Sequence, residues 1–217
     1  TLSSVSKDAD LYFEFSVNEK VALEVAAGAA FLNMRAITAM KHVGLNVASD
    51  AFMSLAYSGV RGGLVLVSAD DPECFSSQNE QDNRYYALFG YWPALEPSSP
   101  QECKDFTKEA FDLSEKFGLP VMIHTVTRVS HSRGVVTLGP IRRERKIANY
   151  VKDTSRFALL PANARKRRTE LLRKFDEVRE YSEETSLTRI VNGDSNEKTA
   201  IITSGASFNY VVDSLNM

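Results

Sequence analysis

Three polar stretches of this chain carry the residue types from which binding sites and proton chemistry are built. Glu19 stands where a helical pattern begins, and His42 and Asn46 lie just past a short apolar run. Gln78, Asn79, Glu80 and Arg84 belong to a long polar stretch, ADDPECFSSQNEQDNR, after a second apolar run, and His131 and Arg133 follow a third. A carboxylate, imidazoles, amides and a guanidinium so placed could hold a polar ligand and handle its protons. Their placement matters because ligands of open parallel sheets collect beyond the carboxyl ends of strands, where polar loops tend to be functional. No self-sufficient catalytic motif is present: the chain has no Walker loop, HExxH, G-x-S-x-G or G-x-G-x-x-G. Spacing alone leaves Glu19 either a helix-capping acid or a working one.

The elements that must position these residues follow from periodicity and punctuation. Leu11–Phe15 (LYFEF) has the composition of a short buried strand. Ser16 to Glu19 fits a capping box, with Ser16 as N-cap and Glu19 at the third helical position. The helix that follows runs to about Leu32, and its Ala residues with Gly28 suit close packing. RAITAM (35–40) reads as a strand, with the His42–Asn46 loop leaving its carboxyl end. A helix is expected from Asn46 to about Ser58, ended by Gly59. Leu64–Ser68 is a continuous apolar run of the kind covered on both faces of a sheet. Arg84–Phe89 continues as a short helix, and Leu95–Glu96 as a short strand. Ser99-Pro100-Gln101-Glu102 is a second capping box with Pro at the first helical position. Cys103, Phe106, Ala110, Leu113 and Phe117 then recur at helical spacing, closed by Gly118 and Pro120. Val121–Val126 is the next strand.

Strands alternating with helices on short connections predict a three-layer α/β/α domain with a mostly parallel sheet over residues 1–137. Residues 138–197 form a charged linker, with RRERK at 142–146, an amphipathic helix over about 162–181 and a loop at 192–197. Residues 198–217 read as strand, turn and helix, the first βα unit of a second α/β domain, since one such unit cannot bury a core alone.

Composition excludes several classes. The chain has 217 residues, 43% of them hydrophobic and 25% charged, with net charge −2 and a pI near 6.0. That balance gives no pull toward nucleic acid or anionic membrane, and the basic run at 165–168 lacks interleaved aromatic residues. No apolar run approaches a membrane span, and no secretory signal is visible. Two cysteines without a CxxC pair argue against a thiolate metal or iron–sulfur site in this chain, and for a cytoplasmic protein. No metal ligands are predicted.

SVNEKVALEVAAGAA, MKHVGLNVASD, SADDPECFSSQNEQDNRYYALFG, EPSSPQECKDFTKEAFDLSEKFGLPV and TRVSHSRG together resemble the pyrimidine-binding domain of indolepyruvate ferredoxin oxidoreductase alpha subunits. More broadly they resemble the thiamine-diphosphate-dependent 2-oxoacid:ferredoxin oxidoreductases, over about residues 12–134. TAIITSGASFNYVVDSL resembles the opening of that family's next domain. The resemblance implies that Glu19 hydrogen-bonds the aminopyrimidine ring of thiamine diphosphate and favours its proton-accepting tautomer. It implies that His42, Gly44 and Asn46 bind the same cofactor, and that Gln78, Asn79, Glu80, Arg84 and His131 face the substrate. The implied reaction is oxidative decarboxylation of indolepyruvate and other aryl pyruvates, with coenzyme A taking the acyl group and ferredoxin the electrons.

The family's G-Y-P-G-T-P-type loop and first strand–helix unit are not matched, nor are its G-D-G diphosphate and magnesium motif or its cysteine-rich segments. A partial polypeptide is expected, inactive alone. It would work in a homo- or hetero-oligomer with a diphosphate-binding domain or subunit and one carrying 4Fe-4S clusters. A pyruvate or other 2-oxoacid oxidoreductase and a non-catalytic α/β assembly module are the alternatives.

Overall fold

The computed structural model describes residues 2–140, 147–191 and 198–215. The chain starts with one turn of helix, α1 (Leu2–Val5), and an extended stretch leading to α2 (Glu19–Phe31). LYFEF forms no strand. Tyr12 and Phe15 are 83% and 88% exposed, and a strand without a hydrogen-bonding neighbour gains nothing over extended chain. The first capping box is also displaced. Ser16 Oγ bonds Glu14, and it is Asn18, in extended conformation, whose side chain accepts the Val21 N–H at 2.9 Å. Glu19 is therefore the first residue of α2 rather than its third. Leu23, Ala26, Ala27 and Ala30 form the buried face of α2, whereas Gly28 is on the outside and a Cβ there would touch nothing. Small alanines, not the glycine, let the helix lie close.

Next come β1 (Ala36–Lys41), α3 (His42–Val47), α4 (Ser49–Ser58) and β2 (Leu64–Asp70). The His42–Asn46 segment is thus a short helix, not a loop. A single 3-10 turn at Pro72–Cys74 interrupts the polar loop before α5 (Arg84–Gly90). After β3 (Ala94–Leu95) the chain enters α6 (Pro100–Phe117), β4 (Val121–Val126) and α7 (Thr127–Ser130). Ser99 caps α6 through its side chain, accepting from Glu102 N at 3.2 Å. Glu102 reaches back one residue further than a capping box requires, accepting from Ser98 N and Oγ at 2.7 Å each. Ala110, Leu113, Ser114 and Phe117 make the buried face of α6, and Gly118 ends it in left-handed conformation (φ 60°), which a residue without a Cβ adopts at little cost.

The four strands run parallel in the order β1-β2-β4-β3. In register, Met40 lies beside Ser68 and Ser68 beside His124, so the carboxyl ends of β1, β2 and β4 fall side by side. The core is built from Leu64, Val65 and Leu66 of β2, Val121 to Ile123 of β4 and the buried faces of α2, α4 and α6. Phe52 stacks on Trp92 at 3.9 Å between ring centres. The edge strand β1 buries Thr38 and Met40, while Ile37 and Ala39 on its other face are exposed.

The remaining described elements are α8 (Thr154–Phe157), α9 (Pro161–Glu184) and α10 (Ala206–Ser214). α9 packs by Leu171, and Phe175 meets Tyr91 edge-on. Residues 199–204 form no strand. Instead, Ser204 bonds Glu96, and the Asn209 amide donates to Ser98 O at 2.8 Å, fixing the α10 segment beside the end of β3. RRERK (142–146) and the 192–197 loop lie outside the described residues. No helix among the described residues is long and apolar enough to cross a membrane.

Candidate functional site

Starting α2 at Glu19 aims this side chain at the beginning of α3. The carboxylate lies on Gly44: a Cβ built there would come within 2.5 Å of Glu19 Cγ and 2.8 Å of Oε1. A side chain at position 44 would have to push the Glu19 carboxylate aside. The Glu19 carboxylate has no hydrogen bond or ion pair among the described residues. A half-buried carboxylate in that state is available to a donor from outside.

His42, the first residue of α3, is fully buried, and its Nε2 lies 3.0 Å from Asn79 O. The ring therefore ties the polar loop to the carboxyl end of β1. Its Nδ1 is buried with no partner. Asn46, one turn further, is exposed and accepts from the Tyr86 hydroxyl at 2.9 Å. Glu19, His42, Gly44 and Asn46 are thus brought together at one end of the sheet.

The polar loop is pinned by Asp71 and Asn83, which no local pattern singles out. Asp71 accepts from Ser76 N at 2.8 Å, from the Ser77 hydroxyl and from Thr127 Oγ1 at 2.9 Å, with Lys41 Nζ at 3.6 Å. The Ser77 and then the Ser76 hydrogen bonds hold this carboxyl well below the usual carboxylate range. Asn83, also buried, donates its backbone N–H to Asp70 Oδ2 at 2.8 Å and its amide to Ser68 Oγ at 2.9 Å and His42 O at 3.1 Å.

Gln78, Asn79 and Glu80 are exposed on this loop, and the Glu80 carboxylate accepts from Glu73 N at 2.6 Å. Arg84 makes a two-pronged pair with Asp82 at 2.8 and 2.6 Å, a geometry that favours both charges. Its fork is therefore occupied, and a substrate carboxylate would have to displace Asp82 to use it. His131 is exposed at the end of α7.

The most highly charged buried cluster surrounds His124, which sequence reasoning left as one more residue of a strand. Its Nδ1 lies 2.6 Å from Glu96 Oε1 and its Nε2 2.8 Å from Asp70 Oδ2. Burial alone would lower its pKa, but the hydrogen bonds from Asp70 and Glu96 outweigh that and carry it up to about 9. One ligand atom each from Asp70, Asp82 and His124 lies within 4.8 Å of the others. Both ring nitrogens are already committed to carboxylates, so this is an ion cluster rather than a metal centre. A polar residue midway along an otherwise apolar strand was the available cue.

Comparison with known proteins shows the family to which the chain belongs. The family model described as "Pyruvate flavodoxin/ferredoxin oxidoreductase, thiamine diP-bdg" matches residues 4–189. Indolepyruvate oxidoreductase subunit IorA of Methanothermobacter thermautotrophicus is 55% identical over 99% of this chain and 35% of its own length. The subunit of the same name from Thermococcus kodakarensis is 49% identical over 99% of this chain and 34% of its own. The chain thus spans about a third of the length of these relatives. A 2-oxoglutarate:ferredoxin oxidoreductase structure from Magnetococcus marinus shares the fold, with TM-score 0.60, 13% identity and coverage of 83% of this chain and 39% of that one. With 186 consecutive residues inside the family match, the chain belongs to the thiamine-diphosphate-binding family of pyruvate flavodoxin/ferredoxin oxidoreductases.

Proposed function

We propose that this chain is the pyrimidine-facing part of an indolepyruvate:ferredoxin oxidoreductase that oxidatively decarboxylates aryl pyruvates to acyl-coenzyme A. The observation that carries the reading is the unpaired Glu19 carboxylate lying on Gly44 at the strand ends. Substrate class comes from the relatives at 49% and 55% identity, which carry the indolepyruvate name.

Thiamine diphosphate, when bound, supplies a carbon nucleophile for the 2-oxo carbonyl and a sink for the electrons left when CO2 departs. Glu19 is the residue that would hold the aminopyrimidine ring by accepting a hydrogen bond, and a carboxylate there would favour the proton-accepting form of the ring. Gly44 supplies the bare backbone on which the carboxylate rests. His42 acts on the cofactor side by holding Asn79 and with it the polar loop, and the exposed Asn46 amide is available to the cofactor. Gln78, Asn79, Glu80, Arg84 and His131 are assigned to the substrate side, Arg84 by exchange of its Asp82 contact. The diphosphate and its magnesium ion, and the 4Fe-4S clusters that pass electrons to ferredoxin, belong to other domains or subunits of a cytoplasmic assembly. Residues 198–217 open a further unit.

The deciding experiment is Glu19→Gln in the full-length protein with its native subunits. Glutamine preserves size and hydrogen-bonding capacity but removes the charge. Ferredoxin reduction driven by indolepyruvate should fall by about 10²-fold or more while the assembly stays intact. Undiminished activity would overturn the reading.

A further inference from the structure

His124 is 4% exposed and spans two carboxylates from separate strand ends, Asp70 on β2 and Glu96 after β3. Only a doubly protonated imidazole has an N–H for each; the neutral ring can donate to one and must turn a lone pair toward the other. Each carboxylate in turn holds a different part of the chain. Asp70 accepts the Asn83 N–H, and the Asn83 amide donates to the carbonyl of His42, two residues before the glycine on which Glu19 lies. Glu96 accepts from the Ser204 hydroxyl at the entrance to α10. An unbroken hydrogen-bonded path therefore runs from Ser204 through Glu96, His124, Asp70 and Asn83 to the start of α3.

We propose that His124 is a positioning residue that couples the 198–215 segment to the polar loop and to the His42–Gly44 turn beneath Glu19. The coupling follows from the chemistry of the bridge. Removing Ser204 loosens Glu96, and the imidazolium then holds Asp70 with one anchor fewer at its back. Removing the ring proton breaks one of its two bridges outright. The charged groups facing the ring are Asp70 from β2, Asp82 from the polar loop, Arg84 from α5 and Glu96 after β3. Three carboxylates thus face one guanidinium and the imidazolium, a net charge of about −1 that a neutral His124 raises to about −2 around the buried ring. The proposal rests on the function above only in naming thiamine diphosphate as the ligand that the coupled turn faces.

Hydrogen–deuterium exchange on the full-length protein with its native subunits tests it. At pH 7, Ser204→Ala should raise exchange about tenfold in peptides covering 76–84 and 42–46, which Ser204 does not touch. His124→Gln should do the same. In the unaltered protein, raising the pH from 7 to 10 should reproduce the loosening after correction for base-catalysed exchange, and His124→Gln should flatten that dependence. Exchange confined to 198–208 in Ser204→Ala would overturn the proposal. That variant keeps the test decisive even where His124→Gln unfolds. Thiamine diphosphate affinity, measured on the same samples, should weaken several-fold in both variants. Absence of cofactor binding by the unaltered protein would count against the proposed function, while the exchange result would still decide the coupling.

Discussion

The Glu19 side chain lies directly on the backbone of Gly44, two residues into α3, so close that a Cβ there would have to displace it. A substitution at Gly44 therefore acts on Glu19. Gly44→Ala should push the carboxylate from its seat and weaken thiamine diphosphate binding about tenfold or more, equivalent to about 1.4 kcal/mol. The helical position itself tolerates alanine, so the fold should survive. Isothermal titration, with circular dichroism as the control, checks both halves of this expectation.

Asn18 caps α2 immediately before Glu19. Asn18→Ala should cost about 1 kcal/mol, or roughly 2–4 °C in melting temperature for a chain of this size. Ser16→Ala, at the position that the sequence pattern alone would have chosen, should leave the melting temperature within about 1 °C. A pair of thermal melts separates the two caps.

The raised pKa of His124 has a definite sign in stability. In the unfolded chain the ring titrates near its ordinary value of 6.5, and in the folded protein near 9. Its contribution is therefore fully present below pH 6.5 and is lost as pH rises through about 9. Chemical denaturation at pH 6, 8 and 10 should show stability falling across the upper interval. The fall should be smaller in His124→Gln.

Asp71 holds Ser76, Ser77 and Thr127 from one carboxylate. Because its folded pKa lies below the unfolded one, its contribution is present at neutral pH and disappears only in strong acid. Asp71→Ala should release the loop at 72–80, so limited proteolysis there at pH 7 should accelerate several-fold. Cleavage within the buried strands β2 and β4 should stay slow.

What was legible locally was legible for local reasons. β2 and β4 each open on an apolar run, Leu64–Val67 and Val121–Ile123, as strands covered on both faces do. α6 is marked by Ser99 and Pro100 at one end and Gly118 at the other, and each occupies its expected role. The parallel α/β class follows from that alternation. The family resemblance supplied Glu19, His42, Gly44 and Asn46, which the fold brings to one end of the sheet. LYFEF misled because its composition suits a strand, while strand formation depends on a neighbour. The same ambiguity applied to the first cap, where Ser16 and Asn18 are both competent and only the path of the backbone selects Asn18.

His124 marks the limit of reading along the chain. Its partners lie 54 residues away at Asp70 and 28 away at Glu96, and no periodicity joins three positions so spaced. The sequence by itself determined β2, β4, α6 and the parallel class, because caps, apolar runs and glycine stops act over a few residues. Only the tertiary structure decided what these residues face. The order β1-β2-β4-β3 sets Ser68 beside His124 and closes a charged cluster from separate stretches. Those contacts depend on strand register, and register is a property of the whole sheet.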